Sequence, residues 1–218
     1  MAFNKNLPLL IFDLDGTLID SAQDIHVAIN KMLFNHQRRQ VDYLTLVSHI
    51  GDGLKKLVYD FFPEFSVDST GNETKVNEFL KYYEESMFAH TKLFPGVQEF
   101  LKTYDGPKAI VTNKNIKPTL EILEHFSLQS LDWISIIGGD SLAERKPSAL
   151  PLRVVMEKAN VKANNTWMIG DGRPDMLSAT AAGCLKIAVH YGYSTAEELA
   201  IFYPDHILKS FSDLKALL

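Results

Sequence analysis

Five short apolar runs alternate with helical patterns along most of this 218-residue chain. Each run is continuously apolar, which is typical of strands buried on both faces of a parallel sheet. Apolar residues recur at helical spacing between the runs. This alternation predicts an α/β fold with an open parallel sheet and right-handed crossovers. The predicted strands are Leu9–Phe12, Lys108–Thr112, Trp133–Gly138, Thr166–Gly170 and Leu185–Val189.

One long stretch, from about Ser21 to His90, breaks the alternation. It contains three apolar stripes at helical spacing and no convincing strand. We therefore predict a helical unit inserted after the first strand. The α/β core then comprises residues 1–18 and 92–218, and the insertion comprises residues 19–91. Clefts between a sheet domain and such an insertion often bind small molecules.

The composition excludes several classes of protein. Hydrophobic residues make up 46% of the chain and charged residues 22%, which argues against intrinsic disorder. The net charge of −5 argues against a nucleic-acid partner. The apolar run that ends at Phe12 is too short for a membrane span, and Cys184 has no second cysteine to pair with. We expect a cytoplasmic protein without a membrane partner, and its oligomeric state stays open.

Two carboxylates, those of Asp13 and Asp15, follow the first predicted strand directly. Ligands of open α/β sheets bind at the carboxyl ends of the strands. Like charges this close require a proton, a cation or a positive ligand, and oxygen ligands suit Mg²⁺. Gly16 permits a sharp turn and a close approach to a ligand. These residues predict a Mg²⁺ site, the alternative being carboxylates that cap a turn.

A second group of polar residues is predicted at the same edge of the sheet. Asp171 and Asp175 follow the fourth strand and would complete the metal site, although an Asp-Gly turn before a helix would explain them too. Thr112 and Asn113 end the second strand, where hydroxyl and N–H groups suit an anion. Lys146 offers a point charge for phosphate.

The order of these motifs resembles the haloacid dehalogenase superfamily of phosphohydrolases. The resemblance covers nearly the whole chain and implies a Rossmann-like sheet core with an inserted α-helical cap. Within the superfamily the chain looks most like the phosphoglycolate phosphatases, on segments that include Gly16–Ser21, His49–Gly53 and Ile137–Asp140. The four signatures are Asp13-x-Asp15-Gly-Thr-Leu, Thr112, Lys146-Pro147 and Gly170-Asp171-x-x-x-Asp175.

This resemblance implies Mg²⁺-dependent hydrolysis of a small phosphorylated metabolite through an aspartyl phosphate, with 2-phosphoglycolate as the expected substrate. Asp13 is then the nucleophile, and Asp15 is the general acid and base. Thr112 and Lys146 stabilise the transferring phosphoryl group. The implied metal ligands are Asp13, the backbone carbonyl of Asp15, Asp171 and, directly or through water, Asp175.

The implied substrate contacts come partly from the insertion. The segment His49–Lys56 is expected to set specificity, chiefly through His49, Gly51 and Lys55. Asn113 and the backbone of Gly16 are implied as further contacts.

The chain departs from the family pattern at three places. Pro is more usual in the family where Ala149 or Leu150 stands. Gly172 stands where the family often has Ser, and Asp52 stands where it often has Asn. A carboxylate at Asp52 would repel the carboxylate of 2-phosphoglycolate unless a cation such as Lys55, Lys56 or Arg173 compensates.

Other functions stay open on sequence alone. The ester could instead be a nucleotide, pyrophosphate or pyridoxal phosphate, and a phosphosugar mutase would use the same acidic pair. A signalling receiver domain also groups acidic residues with a hydroxyl and a Lys, but in another order and without a helical insertion. A catalytically silent binding protein is the last alternative.

Overall fold

The computed structural model describes residues 3–4, 6–65 and 69–218. Strands and helices alternate over most of these residues. The strands are β1 (Leu9–Phe12), β2 (Ile19–Asp20), β3 (Lys92–Leu93), β4 (Lys108–Val111), β5 (Trp133–Ile137), β6 (Thr166–Gly170), β7 (Leu185–Val189) and β8 (His206–Leu208). The α-helices are α1 (Ala22–Asn35), α2 (Tyr43–Val47), α3 (Leu54–Phe61), α4 (Ser69–Glu84), α5 (Val97–Thr103), α6 (Ile116–His125), α7 (Leu150–Ala159), α8 (Arg173–Ala182) and α9 (Ala196–Ala200). Short 3₁₀ helices cover Pro63–Phe65, Ala163–Asn165 and Phe211–Leu217.

Six strands form one sheet in the order β5–β4–β1–β6–β7–β8, and all neighbouring pairs are parallel. The predicted α/β class and all five predicted strands are confirmed. Two of these strands end one residue early, at Val111 and Ile137. The edge strand β8 was not predicted, because it has three residues and two of them are exposed, so it lacks a buried apolar run.

The central strand β1 is buried on both faces, and its four side chains have no exposed surface. Successive side chains of a strand point to opposite faces of the sheet. Leu10 and Phe12 therefore pack into one core cluster with Val97 and Leu101 of α5. The opposite cluster combines Leu9 and Ile11 with Leu152 and Val155 of α7. The continuous apolar run of β1 follows from this two-sided packing.

Helices α1 to α4 form the insertion, as predicted, and among the described residues they have a core of their own. Apolar side chains such as Ile29, Leu57 and Phe79 meet in this third cluster. At its base, β2 and β3 pair antiparallel, with Ile19 opposite Leu93. We call residues 21–91 the helical insertion. The domain limits 1–18 with 92–218, and 19–91, stay a prediction.

A buried carboxylate links the two chain segments that join the insertion to the sheet. Asp24, in the first turn of α1, has no exposed surface. It accepts hydrogen bonds from the backbone N–H groups of His90 and Thr91 and from the Thr91 hydroxyl, and its Oδ1 lies 2.8 Å from His90 Nδ1. The outgoing and returning segments are therefore fixed to each other.

The chain changes direction across the sheet at β1. From β1 the strands run outward through β4 to β5, and then the chain returns to β6 on the other side of β1. The carboxyl ends of β1 and β6 flank the resulting crevice, which is the usual ligand position in open α/β sheets. Among the described helices, none has the length and apolarity needed to cross a membrane.

Candidate active site

Three carboxylates meet at the carboxyl ends of β1 and β6. Asp13 follows β1, Asp171 follows β6, and Asp175 lies in the first turn of α8. Each is less than one-tenth exposed, and one oxygen of each lies within 4.8 Å of the other two. The predicted proximity of the two acidic motifs is therefore present in the structure. It follows from β1 and β6 being adjacent parallel strands.

Lys146 supplies positive charge to this cluster. Its Nζ lies 2.8 Å from Asp13 Oδ1 and donates to Asp175 Oδ1 at 2.6 Å. The side chain is 1% exposed. One ammonium faces three carboxylates, so ionisation of all three would leave two negative charges without compensation in a buried space.

The charge imbalance appears in the pKa values. Burial, followed by the charges of Asp13 and Asp175, holds the pKa of Asp171 well above its ordinary value. Burial and Asp13 raise the pKa of Asp175 to about 7, although Lys146 opposes the rise. Burial acts to lower the pKa of Lys146, but the two carboxylates outweigh it and the pKa is raised. A cation at this place would stabilise the ionised carboxylates.

The lack of a side chain at Gly16 permits close packing around Asp171. Gly16 has φ +80°, and a Cβ there would lie 2.1 Å from Asp171 Oδ2. The Thr17 hydroxyl donates to Asp171 Oδ1 at 3.3 Å, and the Tyr193 N–H donates to Oδ2 at 2.8 Å. The turn after β1 thus fits around the carboxylate at the end of β6.

Asp15 has separate partners from those of Asp13. Its two oxygens each lie 3.2 Å from Lys114 Nζ, and Oδ1 accepts from the Ser21 hydroxyl. Burial acts to lower the pKa of Lys114, but the charge of Asp15 and the interaction with Tyr83 outweigh burial and raise it. Lys114 therefore carries a positive charge next to the second carboxylate of the motif.

Residues at the end of β4 form the next part of the site. Thr112 is 3% exposed and its hydroxyl accepts from the Lys114 N–H at 3.2 Å. Asn113 Nδ2 donates to the backbone oxygens of Gly51 and Lys146, at 3.0 Å each. Asn113 thereby joins the helical insertion to the loop that carries Lys146.

A cavity between the sheet edge and the insertion contains both Asp13 and Asp15. The sheet side contributes polar groups, and the insertion contributes mostly apolar ones. The sheet-side residues are Asp13, Asp15, Thr112, Asn113, Lys114, Asn115 and Pro118. The insertion contributes Ile25, His49, Ile50, Gly51, Gly53, Leu54, Leu57, Phe79, Leu80 and Tyr83.

Comparison with known proteins fits this geometry. The family model of haloacid dehalogenase-like hydrolases matches residues 10–189, which include most of β1 and all three clustered carboxylates. The chain belongs to the haloacid dehalogenase-like hydrolases. Its resemblance to this family is confirmed.

Related sequences from bacteria are similar over nearly their whole length. A phosphoglycolate phosphatase of Neisseria gonorrhoeae is 34% identical over 220 residues, which cover 96% of this chain and 92% of the relative. The phosphoglycolate phosphatase of Chromobacterium violaceum is 34% identical over 201 residues, 89% of this chain and 90% of its own. These relatives are phosphoric monoester hydrolases by name.

Solved structures share the fold. The crystal structure of a predicted phosphoglycolate phosphatase from Haemophilus somnus 129PT has a TM-score of 0.88 and 29% identity, with 98% of both chains covered. That of a predicted phosphatase from Clostridium acetobutylicum has a TM-score of 0.83 and 27% identity, covering 97% of this chain and 98% of that one.

In this haloacid dehalogenase-like hydrolase, most of the predicted site residues lie together. Asp13, Asp15, Thr112, Asn113, His49 and Gly51 line the cavity, Lys146, Asp171 and Asp175 cluster around Asp13, and Gly16 packs against Asp171. Lys55 is exposed and is absent from the cavity wall. His49 Nδ1 lies 2.8 Å from Asp60 Oδ2. The catalytic, metal and substrate roles assigned to these residues stay predictions.

Asp52 of this hydrolase lies outside the cavity wall and has a cationic neighbour. Arg173 Nη1 lies 3.9 Å from Asp52 Oδ1, and the two side chains are 60% and 45% exposed. An ion pair this exposed contributes little stability. Arg173 is nevertheless one of the three cations named above that could compensate the negative charge of Asp52, and it lies beside that carboxylate.

Sequence reasoning missed three residues of the hydrolase's site. Lys114 directly follows the Thr112-Asn113 pair at the end of β4, and that position was its one available signal. Tyr83 lies on one of the apolar stripes of the insertion, with Val76, Phe79, Leu80 and Met87, and that pattern predicts core packing and not a site role. From the sequence, Tyr193 is expected only to pack near the rim of the site, with no assigned chemistry. Its hydroxyl accepts from the N–H groups of Ser21 and Ala22, at 2.8 and 3.0 Å.

Proposed function

We propose that this protein is a Mg²⁺-dependent phosphatase that hydrolyses 2-phosphoglycolate through an aspartyl phosphate. The observation that carries the proposal is the placement of Asp13 and Asp15 in one cavity, with Asp171, Asp175 and Lys146 clustered around Asp13. The substrate comes from the names of relatives that are 34% identical along most of the chain.

In the first step, an Asp13 carboxylate oxygen attacks phosphorus and the bond from phosphorus to the ester oxygen breaks. Asp15 gives its proton to the departing oxygen, so that the alcohol leaves neutral. Lys114 and Ser21 hold the Asp15 side chain in position for this transfer. Thr112 and Lys146 donate to the phosphoryl oxygens as charge develops on them.

In the second step, Asp15 takes a proton from water, and the water oxygen forms a bond to phosphorus. The bond from phosphorus to Asp13 breaks, which releases phosphate and restores the Asp13 carboxylate and the protonated Asp15 of the first step. The helical insertion acts as a cap that excludes bulk water from the intermediate. Its contact through the Gly51 carbonyl and Asn113 holds it against the sheet edge.

The residues present fit a bound Mg²⁺. Three buried carboxylates face one ammonium, so two negative charges of the ionised cluster lack compensation, which a divalent cation would supply. The donors of the cluster are oxygen atoms, which Mg²⁺ prefers. We propose that Asp13, Asp171, the Asp15 carbonyl and Asp175 hold the ion. When bound, it neutralises charge on the phosphoryl oxygens during transfer. The expected cytoplasmic location stays a prediction.

Phosphate release from a panel of phosphomonoesters tests this function. The panel contains 2-phosphoglycolate, nucleoside monophosphates, pyridoxal phosphate, pyrophosphate and hexose phosphates, each with Mg²⁺ and with a chelator. We expect Mg²⁺-dependent release that is fastest from 2-phosphoglycolate. Faster release from another ester would overturn the substrate and keep the mechanism. A hexose phosphate isomer without free phosphate would indicate a mutase, and no reaction of folded protein would overturn the phosphatase function.

A further inference from the structure

The cavity wall beyond Asp15 is apolar except at a few positions. Leu54, Leu57 and Phe79 of the insertion form part of this wall. A leaving group of the ester would extend from Asp15 into this space, because Asp15 donates to the departing oxygen in the proposed function. Polar groups on this wall are therefore placed to recognise the leaving group.

Lys114 supplies the positive charge of this wall. Among the described residues that line the cavity, it has the only lysine or arginine side chain. Its side chain is 9% exposed. The two contacts to Asp15 are long, 3.2 Å each, and an ammonium has three donors. The Lys146 side chain lies in the carboxylate cluster and not on this wall, since its Nζ contacts Asp13 and Asp175.

Tyr83 of α4 faces Lys114 from the insertion. The Lys114 ammonium lies over its ring, 4.5 Å from the ring centroid. Tyr83 is 2% exposed, and among the described residues its hydroxyl has no partner in hydrogen-bond geometry, since the Lys114 ammonium meets the ring instead. A buried hydroxyl without a partner costs free energy that a ligand acceptor would recover. The sheet core thus contributes the Lys114 ammonium, and the insertion the Tyr83 hydroxyl, to the same part of the cavity wall.

We propose that Lys114 and Tyr83 together bind a carboxylate on the leaving group, so that the preferred substrates are phosphate esters of small hydroxy acids. This inference rests on the proposed phosphatase function and names the side chains that select its substrate. Lys114 pairs with the carboxylate while Asp15 carries the proton that it donates, and the Tyr83 hydroxyl donates to a carboxylate oxygen. The apolar wall around them favours a short leaving group.

The test compares two esters that differ in the carboxylate. One is 2-phosphoglycolate, and the other is 2-phosphoglycolamide, in which a neutral amide replaces the carboxylate and the phosphate is unchanged. The measured quantity is the ratio of kcat/KM for the acid to kcat/KM for the amide. Tyr83→Phe removes one hydroxyl and is expected to lower this ratio about 10-fold, because a hydrogen bond to a charged group contributes that much discrimination. Lys114→Met is expected to lower it at least as far.

Tyr82→Phe is the matched control. Tyr82 is the neighbouring residue of α4, and its hydroxyl pairs with Asn35 at 2.7 Å outside the cavity wall. We expect this variant to keep the wild-type ratio. Inhibition by free glycolate gives a second measurement, and its inhibition constant should rise in Tyr83→Phe and stay unchanged in Tyr82→Phe. Thermal unfolding of each variant verifies that it is folded.

The outcomes separate this inference from the proposed function. Equal kcat/KM values for acid and amide in the wild type would keep the phosphatase and overturn the carboxylate site. A wild-type preference for the acid that Tyr83→Phe and Lys114→Met leave unchanged would also overturn it. Failure of the folded wild type to hydrolyse any ester in the panel would overturn both.

Discussion

At the scale of single residues, the charge of the cluster explains why Asp13 can be tested without losing the fold. Asp13, Asp171 and Asp175 repel one another when ionised, and Lys146 compensates only one of the three charges. An amide in place of one carboxylate reduces this repulsion at almost constant volume. Loss of activity in such a variant would therefore report on chemistry and not on unfolding.

Asp13→Asn is expected to lower kcat more than about 1,000-fold, because the amide is a poor nucleophile and loss of a nucleophile abolishes most of the rate enhancement. When both proteins are measured in a chelator, the unfolding temperature of Asp13→Asn should equal or exceed that of the wild type. Phosphate release and calorimetry measure the two quantities. An Asp13→Asn enzyme with wild-type turnover would remove the nucleophile role from this residue.

A substitution at Gly16 tests the proposed metal site, because the backbone of Gly16 packs closely against Asp171. Gly16→Ala places a Cβ 2.1 Å from Asp171 Oδ2, so we expect Mg²⁺ affinity to fall at least about 10-fold as the carboxylate is displaced. Gly51→Ala is the matched control, since Gly51 also has positive φ, +121°, but a Cβ there meets no atom within 4 Å. Calorimetric titration with Mg²⁺ compares them. Equal losses of affinity would assign the effect to backbone strain alone.

At the scale of secondary-structure elements, Asp24 joins the start of α1 to the segment that leads into β3. Asp24→Ala would leave the buried N–H groups of His90 and Thr91 without their acceptor. We expect the free energy of unfolding to fall by about 2–4 kcal/mol. Asp42→Ala is the control, because Asp42 caps α2 at an exposed position and its loss costs about 1 kcal/mol. Urea unfolding measures both, and equal losses would contradict the role of Asp24.

The elements with buried apolar surface were predictable from the sequence, and the others were not. Strand β1 is buried on both faces, so its side chains form an uninterrupted apolar run. Strands β2 and β3 have two residues each, and β8 is mostly exposed, so none of them has a recognisable period. The acidic motifs were predicted to meet because neighbouring parallel strands end at one edge. Lys114 and Tyr83 are distant in the chain and meet only through tertiary packing, so no local pattern encodes that contact.

At the scale of the whole molecule, the site depends on two separately packed parts. The sheet holds Asp13, Asp171 and Lys146, and the insertion has its own core and supplies most of the apolar cavity wall. Among the described residues, the polar contacts that cross between the parts include that of Asn113 with Gly51 and that of Lys117 with Glu84. Separate cores joined by such contacts suit a cap that opens to admit substrate.

The stability of the whole molecule should depend jointly on pH and Mg²⁺. Without metal, Asp175 has a pKa of about 7, above the value of about 3.9 in an unfolded chain. The folded state therefore binds more protons between these values, and the free energy of unfolding falls as pH rises from about 4 to about 7. A bound Mg²⁺ would supply the missing charge where the proton is lost. We expect Mg²⁺ to raise the unfolding temperature by about 4 °C or more at about pH 8, and by much less at about pH 5.

Calorimetric scans with Mg²⁺ and with a chelator, at both pH values, measure this dependence. Asp175→Asn should weaken the effect of Mg²⁺, because it removes one proposed ligand and the group that titrates. Asp213→Asn is the control, since Asp213 accepts from the Ser210 and Lys209 N–H groups at an exposed position far from the cluster in the chain. It should keep the full effect. A Mg²⁺ stabilisation of the same size at both pH values would show that the ion does not compete with protons for these carboxylates, and so binds elsewhere.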